Sequence, residues 1–342
     1  MPVNNINRCV NCILPETFPG ITFDGKNMCN YCNDSLSTKS MLEKETVKKQ
    51  MEEEIERNRG KGDYDCIVAY SGGKDSTFTL MHLVRNYKLN CLAVTIDNDF
   101  MSDRARENCY EATKSLGVDF ILFKPAPNFM MSMYKTAVLT GGVQSNSAIK
   151  RASSICNSCI GIVNNYVLKV ALMHNTGLIA GGYIGGQVPN DASTIKINMV
   201  QRERIKRSVQ DKYDNLYGRE ARKHFFVNEA LIENLTRNTN ITIINPMLAM
   251  SIGENEIIAT IQELGWKRAT DTGMNSSNCR LNDLGIAIHY KKHGFHPYEF
   301  EIADQVRNGL MNRDKALEKV VIPDLVNLNE QIKKIGFKAN EL

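Results

Sequence analysis

One short segment constrains this chain more than any other, because it combines a buried strand, a glycine turn and the start of a helix. The apolar run 66–70 predicts the strand, Gly72 and Gly73 end it, and an amphipathic helix is predicted over about 75–86. Glycine lets a backbone approach phosphate oxygens closely, and the unpaired N–H groups of a helix start point at them. The segment therefore predicts an anion-binding loop.

The side chains of this loop fit the phosphates of a nucleotide. Lys74 adds a mobile positive charge, Ser71 and Ser76 add hydroxyl donors, and Asp75 is expected to orient the loop or a metal ion. The spacing of a Walker A loop is absent. The predicted nucleotide-binding residues of the loop are Ser71, Gly72, Gly73, Lys74, Asp75 and Ser76.

Strands and helices alternate along the chain, which predicts an α/β fold with a doubly wound parallel sheet. Ligands bind at the carboxyl ends of the strands in such sheets. Strands are predicted at 65–70, 91–96, 120–123, 177–180 and 241–246, and helices at about 75–87, 102–116, 127–139 and 159–175. Residues 190–240 have weak periodicity and many charges, so we interpret them as an insertion that is part helical and part lid.

Two further loops at that edge of the sheet are candidates for nucleotide contact. Asp97 follows the second strand and could contact the adenosine, although turn formation explains this residue almost as well. Gly181 and Gly182 belong to the glycine-rich stretch 180–187, which favours close approach of a ligand. A flexible loop without a ligand would permit the same composition.

Ten cysteines in a chain that we expect to be cytoplasmic indicate metal or redox chemistry rather than disulfides. No apolar run reaches the roughly 18 residues of a membrane span, and the first residues lack the pattern of a signal peptide. Cys66, Cys91 and Cys109 lie in predicted strands or a helix and are expected to be buried core thiols. The other seven cysteines form two groups.

The first group consists of two CxxC pairs, Cys9 with Cys12 and Cys29 with Cys32. Four thiolates at this spacing predict one tetrahedral zinc ion. No histidine or carboxylate is placed to leave an open coordination position, so the metal is predicted to be structural. Four thiolates would also suit a rubredoxin-like iron.

The second group joins Cys156 and Cys159, a third CxxC pair, with Cys279 in a polar turn far downstream. Three thiolates would leave one iron of a [4Fe–4S] cluster without a protein ligand, and a sulfide or a substrate atom could bind there. We predict that these three residues hold such a cluster and act in catalysis together with Lys74 and Asp75. A thiol pair that carries sulfur as persulfide, a further structural zinc and plain core cysteines are the alternatives.

The sequence divides into four predicted regions. Residues 1–36 form the zinc-binding module, and 37–62 form a charged, exposed helical linker. The nucleotide domain is predicted over 63–265, with the insertion at about 190–240, and a mostly helical region over 266–342 carries Cys279.

With these motifs in hand, the chain resembles the PP-loop ATP pyrophosphatases. The loop 71–76 matches their SGGxDS signature, and the resemblance spans about 63–265 up to Asn245-Pro-Met and Glu254-Asn-Glu-Ile. It implies an adenine nucleotide alpha hydrolase-like fold and an enzyme that uses ATP with Mg²⁺. Such enzymes split ATP into AMP and pyrophosphate to activate an oxygen for replacement.

Two branches of that superfamily are resembled by different parts of the chain. The N-terminal module and the tail 294–318 resemble the N-acetyl sugar amidotransferases, which use ammonia from a partner glutaminase. The order of loop, CxxC and lone cysteine resembles the iron–sulfur tRNA thiolation enzymes, in which three cysteines hold a [4Fe–4S] cluster. We predict an ATP-dependent sulfurtransferase that adenylates an amide or lactam oxygen and replaces it with sulfur, with the amidotransferase as the alternative.

A third hypothesis is a non-enzymatic nucleic-acid-binding protein. The net charge of +4 is modest, but eight basic residues lie between Arg202 and His224. They could grip phosphates or form a solvated helical face. We favour a small-molecule, sugar or peptide-like amide as acceptor, with tRNA possible, a sulfur donor or glutaminase as partner and no membrane. Homodimers are common among the enzymes that the chain resembles, which makes a homodimer possible, but the sequence does not determine the oligomeric state.

Overall fold

The computed structural model describes residues 6–37, 40–188, 190–233, 240–338 and 341–342. It therefore leaves parts of the predicted linker, insertion and tail outside the described residues. Its centre is a six-stranded sheet in the order β3-β2-β1-β4-β6-β5, parallel except for β5. The strands are β1 Cys66–Ala69, β2 Cys91–Ile96, β3 Asp119–Phe123, β4 Leu178–Ala180, β5 Thr194–Asn198 and β6 Asn240–Ile244.

Helices cover the sheet, and short 3-10 turns and loops connect the elements. The first eight are α1 Asn30–Ser37, α2 Ser40–Asn58, α3 Lys74–Arg85, α4 Asp103–Leu116, α5 Pro127–Thr140, α6 Asn146–Ile149, α7 Ser154–Met173 and α8 Met199–Arg207. The others are α9 Gln210–Tyr217, α10 Ala221–Phe225, α11 Glu229–Glu233, α12 Glu254–Ile261, α13 Asn282–His293, α14 Glu299–Arg307, α15 Arg313–Glu318 and α16 Asn329–Ile335. The predicted α/β fold with a doubly wound, largely parallel sheet is confirmed.

The strand that sequence reasoning missed is β5, at the edge of the sheet inside the predicted insertion. It pairs antiparallel with β6 and leaves residues such as Lys196 exposed. An edge strand with one wet face needs no apolar run, so its sequence gives a weak signal. The four predicted parallel strands through Ala180 are fully or largely apolar and were easier to locate.

One helix among the described residues, α7, has the length and apolar composition of a membrane span. It packs against β1, β2 and β4 and lies in the core of the fold. The sequence predicted its start near residue 159, but it begins at Ser154, where the Ser153 hydroxyl accepts the Cys156 N–H at 3.2 Å. This cap places both cysteines of the CxxC pair on the first turns of the helix.

The expectation that the linker helix is exposed was wrong, because one face of α2 is buried. Met51 and Ile55 are part of the same apolar cluster as the residues of β1 and α3. Glu54 is also buried, where it pairs with Lys196 at 2.8 Å and accepts a hydrogen bond from Thr242 at 3.2 Å. The sequence analysis missed this apolar stripe because it is narrow and lies among many charged residues.

The N-terminal module packs against the C-terminal tail. The Phe18 ring lies 5.1 Å from that of Phe295 and stacks on Phe300 at 5.4 Å between centroids. Arg8 forms a salt bridge of 2.9 Å with the buried Glu299. The two ends of the chain, which carry the amidotransferase resemblance, are thus joined in one apolar cluster.

Candidate active site

A cavity of about 520 Å³ lies at the carboxyl ends of the strands. Ligands bind at this edge in open α/β sheets. Its wall combines the loop 71–76, the residues after β2 and β4, the first turns of α7, the segment 274–281 and α14. Five of the six predicted loop residues line it directly: Ser71, Gly73, Lys74, Asp75 and Ser76.

Gly72 supports the loop from behind instead of lining the cavity. Its φ is +71°, and a Cβ there would lie 2.2 Å from the Ala105 carbonyl oxygen on α4. Its own carbonyl oxygen accepts hydrogen bonds from Trp266 Nε1 at 2.9 Å and Asn108 Nδ2 at 3.4 Å. The glycine is therefore required for the turn to pack on its support.

The loop presents hydroxyl and amide groups to the cavity. The Ser71 and Ser76 hydroxyls lie 3.0 Å apart, and the Gly73 N–H donates to Ser71 Oγ at 3.3 Å. The Lys74 N–H, at the start of α3, donates to Ser277 Oγ at 3.3 Å. Both N–H groups and the helix start are suited to phosphate oxygens.

Lys74 supplies the positive charge of this loop. Its Nζ lies 2.7 Å from Asp75 Oδ2. Burial lowers the pKa of Lys74, but the carboxylates of Asp75, Glu254 and Glu301 outweigh that effect and raise the pKa above its ordinary value. Lys74 is consequently a cation at neutral pH. The carboxylates around it could contact a metal ion that is bound to a polyphosphate.

Of the two other predicted nucleotide loops, one faces the cavity as expected and the other presents a different residue. Gly181 and Gly182 line it. Asp97 does not: its carboxylate is buried and pairs with Arg106 at 3.1 Å and Lys124 at 3.8 Å. Its neighbour Asn98 lines the cavity instead.

All three cysteines of the second group line the same cavity as the loop. Cys156 and Cys159 reach it from α7, and Cys279 reaches it from the segment 274–281. That segment is fixed by two backbone hydrogen bonds of 2.9 Å, from Ser102 N–H to the Asn278 carbonyl and from Arg280 N–H to the Phe100 carbonyl. The structure therefore brings together thiols that are more than a hundred residues apart in the chain.

The side-chain amide of Asn98 connects two of these thiols. Asn98 Nδ2 lies 3.3 Å from Cys279 Sγ and 3.7 Å from Cys159 Sγ, so the two sulfurs are at most about 7 Å apart, the sum of the two distances. Tyr134, also on the cavity, is fully buried and donates its hydroxyl to the Asn98 carbonyl at 3.2 Å.

Burial raises the pKa of Cys156 to about 12 and that of Cys159 to about 11. The pKa of Cys279 is raised as well, chiefly by burial. Reactive nucleophilic cysteines have lowered pKa values, whereas metal cations can deprotonate buried thiols by binding them. The environment of these thiols thus suits ligation better than nucleophilic attack.

The four N-terminal cysteines form a more compact group. Cys9 Sγ lies 3.7 Å from Cys32 Sγ, and Cys12 Sγ lies 3.7 Å from Cys29 Sγ. Within the described parts of the chain, they are the one set of three or more ligand residues whose ligand atoms all lie within 4.8 Å of one another. A tetrahedral zinc with Zn–S bonds of about 2.3 Å needs sulfurs about 3.8 Å apart. The four buried thiols fit one metal ion, whereas the three cavity thiols do not all lie within 4.8 Å of one another.

Sequence reasoning missed a carboxylate that lines the cavity, Glu301 on α14. Gln187 Nε2 donates to its Oε2 at 3.0 Å, and Gln305 Nε2 contacts its Oε1 at 3.4 Å. Burial raises the pKa of Glu301 to about 7, while Gln187 and the positive charge of Lys74 oppose the rise. A carboxyl group that exchanges its proton near neutral pH is suited to acid–base chemistry.

The signature loop and the sheet can now be compared with known proteins. The chain resembles the PP-loop ATP pyrophosphatases. No family model matches it. One relative, the uncharacterized protein MJ1599 of Methanocaldococcus jannaschii, is 27% identical over 338 residues, which cover 97% of this chain and 99% of that protein.

Similar solved structures include the U34-tRNA thiolase NcsA from Methanococcus maripaludis with its [4Fe–4S] cluster, at 16% identity, 98% coverage of both chains and a TM-score of 0.35. The NH3-dependent NAD synthetase from Campylobacter jejuni is 13% identical, covers 82% of this chain and 96% of its own, and has a TM-score of 0.35. The NMN synthetase from Francisella tularensis is 10% identical over 82% of this chain and 95% of its own, with a TM-score of 0.37. At these low scores the likenesses decide nothing about the activity.

Proposed function

We propose that this protein is an ATP-dependent sulfurtransferase that replaces the oxygen of an amide or lactam carbonyl with sulfur and releases AMP and pyrophosphate. One observation carries the proposal: a loop suited to phosphates and three partly buried thiols line the same 520 Å³ cavity. An activated acceptor bound to the nucleotide would then lie within one enclosure with the sulfur site. No such proximity is needed by an enzyme that only hydrolyses ATP.

In the first step, the acceptor's carbonyl oxygen attacks the α-phosphorus of ATP, and the bond to the leaving pyrophosphate breaks. The N–H groups of Gly73 and Lys74, together with the Lys74 ammonium, would stabilise the charge on the phosphates. Asp75, whose carboxylate lines the cavity, would hold the Mg²⁺ that neutralises the pyrophosphate. An amide oxygen is a poor leaving group, and the adenylate makes it a good one.

Glu301 would manage the amide proton. When the oxygen of an N–H amide is adenylated, the nitrogen must lose its proton to give a neutral imidate, and the Glu301 carboxylate can accept it. The same carboxyl group returns the proton to nitrogen when AMP leaves and the thioamide forms. A pKa of about 7 allows both transfers near neutral pH.

Cys156, Cys159 and Cys279 would hold a [4Fe–4S] cluster, which would supply sulfide from an iron that lacks a protein ligand. They share one cavity but do not all lie within 4.8 Å of one another, which fits a polynuclear cluster better than a single ion. Asn98 would donate its amide N–H groups to two of the ligand sulfurs. Cys9, Cys12, Cys29 and Cys32 would hold a structural zinc.

The N-acetyl sugar amidotransferase remains the second candidate, and one observation favours it. The tail segment that carries this resemblance supplies a wall of the cavity through Tyr298, Glu301 and Gln305. An acceptor amide would therefore be bound by the amidotransferase-like part of the chain. In that reaction ammonia, instead of sulfide, displaces AMP.

Nucleic-acid binding without catalysis finds less support in the basic segment 202–224. Burial lowers the pKa of Lys206 to about 7, and its Nζ donates to the Phe225 carbonyl. Arg222 pairs with Asp214 at 3.0 Å, and Arg207 donates to the Val227 carbonyl at 3.1 Å. Lys206 and Arg207 are held by backbone carbonyls and Arg222 by a carboxylate, so these three cations are poorly placed to contact a phosphate backbone. This favours a small amide acceptor over tRNA.

The test is an acceptor-dependent assay of pyrophosphate release under anaerobic conditions. The protein is supplied with ATP, Mg²⁺ and either sulfide or ammonium, with an N-acetyl sugar, a lactam base and unmodified tRNA as alternative acceptors. We expect AMP and pyrophosphate in equal amounts and a product whose mass shows oxygen exchanged for sulfur. A product that carries nitrogen instead of sulfur would establish the amidotransferase, and release of phosphate without AMP would contradict both.

A further inference from the structure

The segment 274–281, which carries Cys279, contacts the loop 71–76 (hereafter the anion loop) directly. The Lys74 N–H donates to Ser277 Oγ at 3.3 Å, although the two residues are 203 positions apart in the chain. Ser277 Oγ also lies 3.0 Å from the point where a Cβ on Gly73 would be. A hydroxyl oxygen thus occupies one of the hydrogen-bond donors of the loop, on the cavity side.

That donor is one that a phosphate oxygen would use. Lys74 is the first residue of α3, so its N–H has no partner within the helix. Such N–H groups bind phosphate oxygens. Hydrogen bonds to an ionised acceptor are roughly twice as strong as those to a neutral one. The contact with Ser277 is neutral and long for an N–H···O bond. ATP should therefore displace the hydroxyl.

A displacement of Ser277 would reach Cys279 through a short, tightly bonded turn. Ser276 Oγ accepts the Cys279 N–H at 3.0 Å and the Asn278 N–H at 3.3 Å. Asn98, which follows the end of β2, donates its side-chain N–H to Cys279 Sγ at a distance of 3.3 Å. Ser277 lies within this turn, directly after Ser276 and two residues before Cys279. The position of the thiol is coupled to the anion loop through this turn, which two backbone hydrogen bonds of 2.9 Å also join to Phe100 and Ser102.

We propose that Ser277 is a positioning residue through which the occupancy of the anion loop sets the position of Cys279. With the loop empty, the hydrogen bond from Lys74 to Ser277 restrains the segment 274–281 in addition to its backbone bonds with Phe100 and Ser102, and the phosphates of ATP remove that restraint. The sulfur site would then become mobile only when an acceptor can be adenylated, which protects it from unproductive reactions. The inference rests on the proposed function in that ATP must bind at this loop, and it holds for either nucleophile.

Hydrogen–deuterium exchange of the full-length protein tests this inference without an acceptor. Exchange is measured with and without ATP and Mg²⁺ on peptides that cover 274–281, with a β2 peptide as reference, and the dissociation constant of ATP is measured on the same samples. We expect ATP to raise the exchange rate of the Cys279 and Arg280 amides by at least about threefold in the wild type. Exchange in β2 should not change.

Two variants separate this coupling from a structural role. In Ser277→Ala the segment should exchange rapidly without ATP and show no further rise, while ATP still binds. Ser277→Thr retains the hydroxyl and should respond as the wild type does. ATP binding with unchanged or slower exchange in the wild type, or a normal response in Ser277→Ala, would overturn the inference alone. Absence of ATP binding would overturn the proposed function together with it.

Discussion

At the scale of single residues, the proposed chemistry depends on a few charged groups that line one cavity. Lys74 is the cation of the anion loop, and the carboxylates of Asp75, Glu254 and Glu301 keep it protonated. Glu254 is in turn paired with Arg268 at 3.2 Å and with Lys319. Charged groups of both signs therefore surround the loop, and Lys74 is the cation that belongs to the loop itself.

Replacement of Lys74 tests the role of that charge. In Lys74→Gln the ammonium is lost while most of the side-chain volume remains, so we expect ATP-dependent pyrophosphate release to fall by about 10²–10³-fold. Lys333→Gln, an exposed lysine on α16 outside the cavity, should leave the rate unchanged. A Lys74→Gln variant with wild-type turnover would show that the loop is not the phosphate site.

Glu301 should control the acid limb of the pH–rate profile. Because proton acceptance requires the carboxylate, the rate should fall as pH drops through the Glu301 pKa of about 7. Glu301→Gln should lower the rate by about 10²–10⁴-fold and remove that limb. Glu299→Gln is the matched control, because burial raises the Glu299 pKa to about 7 as well, yet Glu299 pairs with Arg8 and does not line the cavity. If the acid limb persists in Glu301→Gln, another group is the base.

The same pKa shift predicts how stability depends on pH. The pKa of Glu301 rises from 4.5 in the unfolded chain to about 7 in the fold, so the folded state retains a proton that the unfolded state releases. Its contribution to stability is complete below about pH 4.5 and is lost as pH rises through 7. Relative to the wild type, Glu301→Gln should gain about 1–3 kcal/mol between pH 5 and pH 8 in denaturant unfolding. If the free energies of unfolding of Glu301→Gln and the wild type differ by the same amount at pH 5 and at pH 8, the raised pKa of Glu301 is contradicted.

At the scale of elements, the loop between β1 and α3 is defined by its support on α4. Gly72→Ala would bring a Cβ to 2.2 Å from a backbone carbonyl and impose a positive φ on alanine. We expect it to cost about 1–3 kcal/mol of stability and to weaken ATP binding. Gly60→Ala is the control, because Gly60 has a φ of +67° but open space around it. Equal effects in the two variants would show that only the dihedral angle matters.

The N-terminal module should depend on its metal, and the tail should depend on the module. Arg313 donates to the Cys12 carbonyl at 2.8 Å, so the metal loop and α15 are directly connected. Removal of zinc by a chelator, or Cys12→Ser, should therefore increase proteolysis and amide exchange around Phe295 and Phe300 as well as in the module. Cys91→Ser, at a buried thiol outside the module, should keep its zinc. A folded tail in metal-free protein would contradict this dependence.

Much of the fold follows from local sequence signals. The parallel strands and the helices between them were predictable because apolar runs and helix periodicity agree with the final packing. Both cysteine groups and the anion loop were also evident from spacing. The orientation of neighbouring side chains was not: Asp97 and Asn98 are adjacent in one turn, yet only Asn98 lines the cavity. Local sequence does not determine which of the two points inward.

Contacts between distant parts of the chain were beyond sequence reasoning. Gln187 meets Glu301 across 114 positions, and Lys74 meets Ser277 across 203. Neither pair has a motif, because their chemistry appears only when α14 and the segment 274–281 pack on the sheet edge. The antiparallel edge strand β5 was missed for a related reason. It is stabilised by its pairing with β6, and its own sequence lacks the apolar pattern that would predict a strand.

At the scale of the whole molecule, the fold brings three thiols to the cavity that the loop 71–76 lines and groups four others at the N-terminus. We propose that the first set binds a cluster and the second set binds zinc. Each site draws on distant parts of the chain, since Cys279 completes the first and the tail packs on the second. The sulfurtransferase and amidotransferase hypotheses differ in whether the cavity thiols bind iron.

The decisive measurement is the content of iron, acid-labile sulfide and zinc per chain after anaerobic purification. We expect about four iron and four sulfide in the wild type, lost in Cys156→Ala and in Cys279→Ala. About one zinc should remain in all three proteins, because the N-terminal thiols are separate. Cys91→Ala is the control for a buried thiol and should retain both metals. Zinc alone, unchanged in the cavity variants, would contradict the cluster and favour amidotransfer.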